Sequence, residues 1–329
     1  MSHSLLVNPM LVQAHPGKNR LRDRTIPALL RLGAAASRSL FNGKGVGFMC
    51  TIAAGLVGVQ SRLSFQLRGG GTFTVQTDDR YWLRCLLIER NYETDIDHFL
   101  SRALTSVDSF LDCGANLGLW SIAAARVITD AKRVVAVEAG SRTFEQLKLN
   151  WDANDRSFTL MHRALSQSSG EKVCFFSSAD HHASSTLVEG LSPSDAREEL
   201  VTSISLEDLL IEQSSYQSRA DALTFVKLDV EGLERRILST ILPDRHGNVV
   251  LLYEDHGSDT EHVTKVVLEQ GFRVAFLSDD GSIEPIRPGG VGRLDQLKID
   301  SGHGYNLLAF SPNGQAALRM SALFGLHGD

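Results

Sequence analysis

The residues best suited to chemistry follow apolar runs that resemble buried strands. One such run ends at Leu111 and is followed by Asp112 and the loop "CGANLG". Glycines allow a tight turn and a close approach of another group to the backbone. A dinucleotide fold would carry GxGxxG at this place, whereas this stretch reads DxGxNxG. Because an acid here would repel a pyrophosphate, the loop suits a cationic ligand or one with hydroxyl and ammonium donors.

Further acids stand where later apolar runs end. Glu138 follows "VVAV", and an acid at that position can hold both hydroxyls of a ribose. "KLDVEGLE" places Asp229 and Glu231 together, and "YEDHG" places Glu254 and His256. Any one of these groups alone would be a solvated surface residue in many proteins, but together they point to one edge of a sheet. An adenosine-containing ligand with a positive tail that lacks phosphate, S-adenosylmethionine, fits this pattern.

Strands that alternate with helices would position these residues. Near-continuous apolar strands of this kind indicate a parallel sheet with helices on both faces, whose ligands bind beyond the carboxyl ends of the strands. Ahead of them, a β-hairpin is predicted at 62–79 and helices at 81–88 and 96–104. The predicted sheet strands are 107–111, 133–137, 158–161, 223–230, 248–254, 272–278 and 305–310. Between the third and fourth of these, "EKVCFFS" (171–177) is predicted as a further strand.

Composition and charge describe an ordinary globular chain. Apolar residues make up 43% and charged residues 22% of the chain, whose net charge is −6. We therefore expect no specific nucleic-acid partner. Residues 1–44 are locally basic, so contact with an anionic partner or a membrane surface is open to this arm. The sequence leaves oligomerisation open.

Cysteine and histidine usage indicates neither a disulfide framework nor a metal site. The four cysteines are widely spaced, which is typical of reduced thiols in a cytoplasmic protein. His181 and His182 are adjacent on a Ser/His-rich loop (177–186), which is poor spacing for metal ligands, so we expect no metal. The apolar stretch 45–59 is shorter than the ~20 residues that span a bilayer, and we expect a buried or surface-attached helix there.

Several motifs together resemble the FkbM-type family of S-adenosylmethionine-dependent methyltransferases. They are "FLDCGANLGLWS", "VVAVEAGSRTFEQLKLN", "FVKLDVEGLERRIL" and "VVLLYEDHG", with "NYETD", "VTSISLEDLL" and "YNLLAF" in the same order. The resemblance covers about residues 80–310. It implies an α/β, Rossmann-like, doubly wound sheet of seven strands with the last strand antiparallel, as in class I methyltransferases, behind an N-terminal helical and β-hairpin extension. It also implies methyl transfer to a hydroxyl of a sugar, glycolipid or secondary metabolite.

The resemblance also assigns roles to residues. It implies that Tyr92 and Glu93 form a lid over the cofactor and that Glu138 holds its ribose. Asp229 and Glu231 would line the site beside the reactive methyl group. We also place Ala164, which follows the third sheet strand, among the cofactor-binding residues. The methionine part of the cofactor would be cradled by Asp112, Gly114, Ala115, Asn116 and Gly118.

These assignments divide the chain into four parts. Residues 1–60 are a basic arm or cap, 61–106 a hairpin and helical lid segment, 107–312 the methyltransferase domain, and 313–329 a C-terminal tail.

The catalytic base and the reaction class keep alternatives at this stage. His256 or Asp229 is the expected base, with Glu231 orienting the acceptor. The alternatives are a methyltransferase acting on nitrogen of a protein or nucleic acid, a catalytically silent binding or scaffold module, and an NAD-type oxidoreductase. "LDVEG" lacks the Asn/Asp-Pro-Pro-aromatic motif of nucleic-acid enzymes, and GxGxxG is missing.

Overall fold

The computed structural model describes residues 10–15, 34–35, 62–177, 197–217, 219–230, 232–256, 262–297 and 305–326. Four predictions lie wholly or largely outside these residues: the basic arm or cap 1–60, the apolar stretch 45–59, the Ser/His-rich loop 177–186 and the role of Glu231. Among the described helices, none is long and apolar enough to cross a membrane.

Strands and helices alternate along the described chain as the sequence predicts. The strands are β1 (Met10–His15), β2 (Arg62–Gln66), β3 (Thr72–Gln76), β4 (Ser109–Cys113), β5 (Val134–Glu138), β6 (Thr159–His162), β7 (Ala164–Ser166), β8 (Lys172–Ser177), β9 (Arg197–Ser205), β10 (Thr224–Leu228), β11 (Val249–Asp255), β12 (Arg273–Leu277), β13 (Ile283–Ile286) and β14 (Tyr305–Phe310). The α-helices are α1 (Arg80–Leu83), α2 (Thr94–Ala103), α3 (Leu119–Ala125), α4 (Ser141–Ala153), α5 (Leu206–Ser214), α6 (Glu234–Leu238), α7 (Val263–Glu269), α8 (Leu294–Leu297) and α9 (Gln315–Phe324). A π-helical turn, Arg84–Glu89, extends α1.

The central sheet confirms the predicted architecture. Its strand order is β13-β12-β14-β11-β10-β4-β5-β6. Strands β4, β5, β6, β10 and β11 are mutually parallel, whereas β14 runs antiparallel to both β11 and β12. The seven predicted strands are all present, with bounds within two residues of the prediction. The sheet has an eighth strand, β13, which pairs antiparallel with β12 at its edge.

Side chains on the two faces of this sheet form separate apolar cores. Because successive residues of a strand point to opposite faces, Phe110 and Phe225 belong to one core and Leu111 and Val226 to the other. β4, β5 and β10 are buried along their whole length. By the same alternation, Asp112 and Lys227 lie on the face that carries Phe110 and Phe225.

A second sheet, which the sequence did not predict as such, lies beside the central one. Its order is β7-β9-β8, with β7 parallel and β8 antiparallel to β9. Only β8 was predicted as a strand. β9 begins "REEL" and has exposed residues at its start, so its composition resembles a loop, and β7 has only three residues.

The predicted hairpin before the methyltransferase domain is confirmed and is joined by a third strand. β2 and β3 pair antiparallel across the glycine turn, and β1 pairs with β2. Two asparagine side chains, Asn150 in α4 and Asn154 at its C-cap, cover the open edge of β3. The N–H of Thr72 donates to Asn154 Oδ1 at 2.9 Å, and that of Thr74 donates to Asn150 Oδ1 at 2.8 Å. Asn150 Nδ2 also donates to the Leu117 carbonyl at 2.9 Å, which connects the hairpin to the glycine loop after β4.

Candidate cofactor site

The carboxyl ends of β4, β5 and β10 bring several predicted residues to one edge of the sheet. Lys227 and Asp112 are register partners on the two central strands. Asp229 follows β10 directly, and Glu138 is the last residue of β5. Three of the predicted residues, Asp112, Glu138 and Asp229, therefore lie at neighbouring strand ends, as the rule for parallel sheets requires.

Lys227 is the residue that joins these carboxylates, and sequence reasoning did not single it out. Its Nζ lies 2.9 Å from Asp229 Oδ2 and 3.5 Å from Glu93 Oε1, and its side chain is only 5% exposed. Burial opposes its charged form, but Asp229, Glu93 and Asp112 outweigh burial, so the pKa of Lys227 lies well above its usual value. The available signal was a lysine inside the otherwise apolar run "LTFVKLDV".

Glu93 reaches this cluster from the segment that precedes α2. It has a left-handed backbone conformation with φ of 41°, which is uncommon for a residue other than glycine. Trp120 Nε1 of α3 donates to its Oε2 at 2.5 Å, and Lys227 lies beside its other oxygen. Burial raises the pKa of Glu93 to about 8, although Lys227 acts in the opposite direction. Glu93 is thus held against the strand ends.

Asp112 lies beneath the glycine loop and is 1% exposed. Its Oδ2 accepts a hydrogen bond of 2.6 Å from the Ser121 hydroxyl of α3. Burial raises its pKa, while the nearby Lys227 lowers it. Asp112 therefore connects the end of β4 to α3 and lies near Lys227. Its direct contact with a ligand stays a prediction.

Gly114 and Gly118 have backbone conformations that the neighbouring elements require. Both have positive φ, +81° and +84°. A Cβ on Gly114 would lie 1.8 Å from the Asp229 carbonyl oxygen, and one on Gly118 would lie 2.4 Å from Leu147 Cδ1. The first glycine thus allows the loop after β4 to lie directly against the end of β10.

The N–H groups of this loop are bonded within the protein. Those of Gly114 and Ala115 both donate to the Val137 carbonyl at 2.9 Å, and that of Gly118 donates to the Ala115 carbonyl at 2.8 Å. Asn116 N–H donates to Glu138 Oε2 at 2.9 Å. A pyrophosphate site needs free N–H donors at such a loop, and these four N–H groups are already bonded within the protein.

Glu138 is nearly buried and accepts two backbone hydrogen bonds. Its Oε1 accepts from Gly140 N–H at 2.8 Å, and its Oε2 accepts from Asn116 N–H. Burial raises its pKa to about 7, and the backbone N–H groups of Gly140, Asn116 and Ala139 oppose that rise. The two oxygens together offer about four acceptor sites, so the carboxylate keeps at least one for a ligand donor.

An aromatic cluster stands beside the loop and contains the predicted lid residue Tyr92. The ring of Tyr92 lies 4.6 Å from that of Trp82 and 6.4 Å from that of Tyr81. Trp82 Nε1 donates to Asn116 Oδ1 at 3.4 Å, which connects the cluster to the glycine loop. Burial raises the pKa values of Tyr81 and Tyr92, and the charges of Glu93 and Asp229 raise them further.

Two predicted site residues, His256 and Ala164, are not among the groups that surround Lys227. His256 is exposed after β11, and its Nε2 lies 3.1 Å from Glu254 Oε2. Ala164 is fully buried in a small cluster with Phe175 and Val201. Glu231 is outside the described residues, but the loop it belongs to is held by Glu234, whose carboxylate accepts from the N–H groups of Val230 and Gly232 at 2.9 Å.

A cavity of about 440 Å³ opens between the second sheet and α6. Its lining includes Ser166, Gln167, Phe176, Glu198, Leu233 and Arg236. Leu233 and Arg236 follow the loop after Asp229. Phe175, next to Phe176 on β8, would lie 3.3 Å from a Cβ on Gly140, just beyond Glu138. The cavity therefore borders the loop that follows β10, whereas Phe175 points to the other face of β8, toward the loop that follows β5.

Solved structures that are similar to this chain include methyltransferases. Two solved structures resemble the chain. One is a precorrin-6y C5,15-methyltransferase from Geobacter metallireducens GS-15, 14% identical, which covers 67% of this chain and 88% of its own with a TM-score of 0.35. The other is an O-methyltransferase from Bacillus cereus in complex with SAH, 13% identical, covering 66% and 79%, with a TM-score of 0.28. Such scores are too low for an argument, so the fold assignment depends on the strand order above.

No curated protein matches the chain. Residues 112–274, which span the strand ends from Asp112 through the cavity to β12, match the family model described as the methyltransferase FkbM domain. These residues therefore carry a methyltransferase FkbM domain.

Proposed function

We propose that this chain is an S-adenosylmethionine-dependent O-methyltransferase whose acceptor is a hydroxyl of a sugar, glycolipid or secondary metabolite. The observation that carries the proposal is the set of carboxyl groups at this edge of the sheet: Glu93, Asp112 and Asp229 lie around Lys227, and Glu138 lies at the end of β5. The resemblance of the motifs to a family that methylates hydroxyl oxygens supports the choice of oxygen as the acceptor atom.

The residues present fit this cofactor by their chemistry. The three carboxylates Glu93, Asp112 and Asp229 face a single ammonium group, that of Lys227. The acidic groups outnumber the ammonium group, which suits a ligand that carries positive charge. The glycine loop, where four N–H groups are already bonded within the protein, does not suit a pyrophosphate. Glu138 keeps acceptor capacity for a ribose hydroxyl. When bound, the cofactor supplies an electrophilic methyl group on a sulfonium.

The cavity beside α6 is our proposed place for the nucleobase of the cofactor. A planar heterocycle needs apolar side chains for its faces and a few polar groups for its edge. Phe176 and Leu233 supply apolar surface, while Ser166, Gln167 and Arg236 supply polar groups. The strand β8, which lines the cavity, also places Phe175 beside the loop that follows Glu138, so the base and the ribose would be held by neighbouring elements.

Asp229 and His256 remain the two candidates for the base. Asp229 Oδ2 is held by Lys227, and the side chain keeps 25% of its surface exposed. It can accept the proton of an acceptor hydroxyl, and a base so placed contributes roughly 10²–10⁴-fold to a rate. His256 follows the neighbouring strand β11, and its side chain is 54% exposed. Glu231 would orient the acceptor.

The first test is binding. Calorimetry should show that S-adenosylmethionine and S-adenosylhomocysteine bind and that NAD does not. Mass spectrometry of metabolites and glycans from cells with and without the protein should then find a species heavier by one CH₂ unit. Binding of NAD instead, or binding without any methylated product, would overturn the proposal. Loss of turnover with retained cofactor binding in Asp229→Asn but not His256→Asn would choose Asp229 as the base.

Two neighbouring arginines on α6 test the cavity. Arg236 lines it, and Arg235 is an exposed residue of the same helix. We expect Arg236→Ala to weaken binding of S-adenosylhomocysteine several-fold, because the cavity loses a donor and the packing of the arginine stem. Arg235→Ala should leave the dissociation constant unchanged. Equal effects of the two variants would argue against the cavity as the nucleobase site.

A further inference from the structure

We propose that Glu93 sets the preference of the cofactor site for the cationic methyl donor over its neutral demethylated product. This inference rests on the proposed function and adds a specificity-determining residue to it. The two ligands share their nucleoside and amino acid and differ in one methyl group and one positive charge. A site that exchanges one for the other after every turnover benefits from a group that responds to that charge.

The charge balance around Lys227 supports this role. Glu93 approaches Lys227 to 3.5 Å and Asp229 approaches it to 2.9 Å, with Asp112 as the register partner of the lysine on β4. Three carboxyl groups thus surround one ammonium group in a largely buried place. Charges interact strongly where water is excluded, so an added cation would be favoured there and a neutral group would not.

The aromatic rings beside Glu93 provide a second, independent feature that suits a cation. Tyr81, Trp82 and Tyr92 form a cluster with ring centroids 4.6–6.4 Å apart. Aromatic faces attract cations that carry methyl groups, such as quaternary ammonium ions, and a sulfonium has the same character. Tyr81 is 46% exposed and Tyr92 is partly exposed, so their rings are accessible to a ligand.

Among the three carboxyl groups around Lys227, Glu93 is the one whose charge state can respond to the ligand. Burial raises its pKa to about 8, with Asp229 and Asp95 adding to the rise and Lys227 and the Trp120 hydrogen bond opposing it. Near neutral pH the carboxyl is therefore protonated before binding. A cation beside it would lower that pKa and release the proton, whereas a neutral thioether would not.

The experiment is calorimetry of both ligands with the wild type, Glu93→Gln and Glu145→Gln. Glu145 is an exposed glutamate on α4 and serves as the control for loss of one carboxylate. At about pH 9, above the pKa of about 8, we expect the wild type to bind S-adenosylmethionine at least about tenfold more tightly than S-adenosylhomocysteine. Glu93→Gln should lose most of that ratio, and Glu145→Gln should keep it.

A measurement on the unaltered protein keeps the proposal testable if Glu93→Gln fails to fold. Below the pKa of Glu93 the cationic ligand must displace a proton, so the ratio of affinities should increase from about pH 6 to about pH 8 and then level off. A ratio that does not change with pH, or one that survives in a folded Glu93→Gln, would overturn the proposal. If neither ligand binds, the proposed cofactor fails and this inference fails with it.

Discussion

At the scale of single residues, Lys227 is the main addition that the structure makes to the site. It stands in the run "LTFVKLDV", whose hydrophobicity predicts a buried strand correctly. Hydrophobicity does not reveal which neighbouring side chains face a charged residue. The carboxyl partners of Lys227 come from β4, from the segment before α2 and from the end of β10, so the cluster exists only in three dimensions.

Replacing this lysine should therefore destabilise the protein strongly. Lys227→Met removes the ammonium group that contacts Glu93 and Asp229, and loss of one member of a buried ion pair costs about 3–5 kcal/mol. Urea-induced unfolding near pH 7 measures this cost. Lys148→Met, at an exposed position of α4, should change stability by no more than about 0.5 kcal/mol. Comparable losses in the two variants would show that the cluster does not stabilise the fold.

The buried carboxyls predict how stability changes with pH. The pKa of Glu93 is raised from 4.5 to about 8 and that of Glu138 from 4.5 to about 7. Because the folded state binds these protons more tightly, their stabilising contribution is complete below about pH 4.5 and is lost as pH rises through the folded values. The free energy of unfolding should therefore fall between about pH 5 and pH 8.

Urea unfolding at several pH values in this range checks that slope. Each group contributes up to about 1.4 kcal/mol per pH unit. Glu93→Gln, which resembles the protonated form, should show a shallower fall than the wild type. Glu145→Gln should reproduce the wild-type slope, since its carboxylate is exposed. An unfolding free energy that increases over this range would contradict the prediction.

At the scale of elements, the sequence predicts what is local and misses what depends on neighbours. The seven sheet strands and the hairpin follow from hydrophobic runs and turn residues, and the acids after the strands follow from the rule for parallel sheets. β9 was missed because half of its residues are polar or exposed, as fits a small second sheet. The pairing of Trp120 with Glu93 joins two elements far apart in the sequence, so no local pattern could predict it.

The glycine loop after β4 also has one feature that the sequence predicts and one that only the structure shows. Its composition predicts a tight turn, but the structure shows that the closest group to Gly114 is the backbone of Asp229 rather than an open ligand space. The requirement for glycine at this position is therefore set by the packing of β4 against β10. Gly114 therefore affects the proposed cofactor site only indirectly, because this packing brings Asn116 and Glu138 together.

Three glycine-to-alanine variants separate backbone conformation from packing. Gly114, Gly118 and Gly170 have similar φ values of +81°, +84° and +84°. Gly170→Ala meets nothing within 4 Å and should cost only the ~1–2 kcal/mol of the left-handed conformation. Gly118→Ala should cost more because it contacts Leu147. Gly114→Ala should cost most, because a backbone carbonyl cannot move aside as a side chain can.

The order of the three unfolding free energies is the test. If Gly114→Ala were no more destabilising than Gly170→Ala, the close approach of the loop to β10 would not be a structural requirement. A retained far-ultraviolet circular dichroism spectrum would show that each variant still forms its secondary structure.

At the scale of the whole molecule, the C-terminal helix supports the segment that carries Glu93. α9 packs against α2, where the ring of Phe324 lies 5.3 Å from that of Phe99. Arg102 of α2 donates to the Leu323 carbonyl at 2.8 Å and stands over the Phe324 ring. Because α2 begins at Thr94, directly after Glu93, the far end of the chain contributes to the position of a site residue.

Arg319 is the residue of α9 through which this support can be tested. Its guanidinium donates to the Asp108 carboxylate and to the Asp221 carbonyl, both at 2.6 Å, and the side chain of Asp108 is fully buried. Arg319→Met leaves Asp108 with its hydrogen bonds from Thr105 and Leu223 but without its cation. We therefore expect a loss of about 2–3 kcal/mol, somewhat below that for a buried pair with no other donors.

Urea unfolding of Arg319→Met measures the loss, and hydrogen exchange shows where the structure loosens. Lys265→Met, at an exposed position of α7, should leave both measurements unchanged. If α9 holds α2 in place, amides of α2 should exchange faster in Arg319→Met, while those of the buried strand β5 should change only as far as global stability does. Unchanged exchange in α2 together with a large global loss would mean that Arg319 stabilises the core without positioning Glu93. Faster exchange confined to α2 and α9 would instead tie the C-terminal helix to the cofactor site.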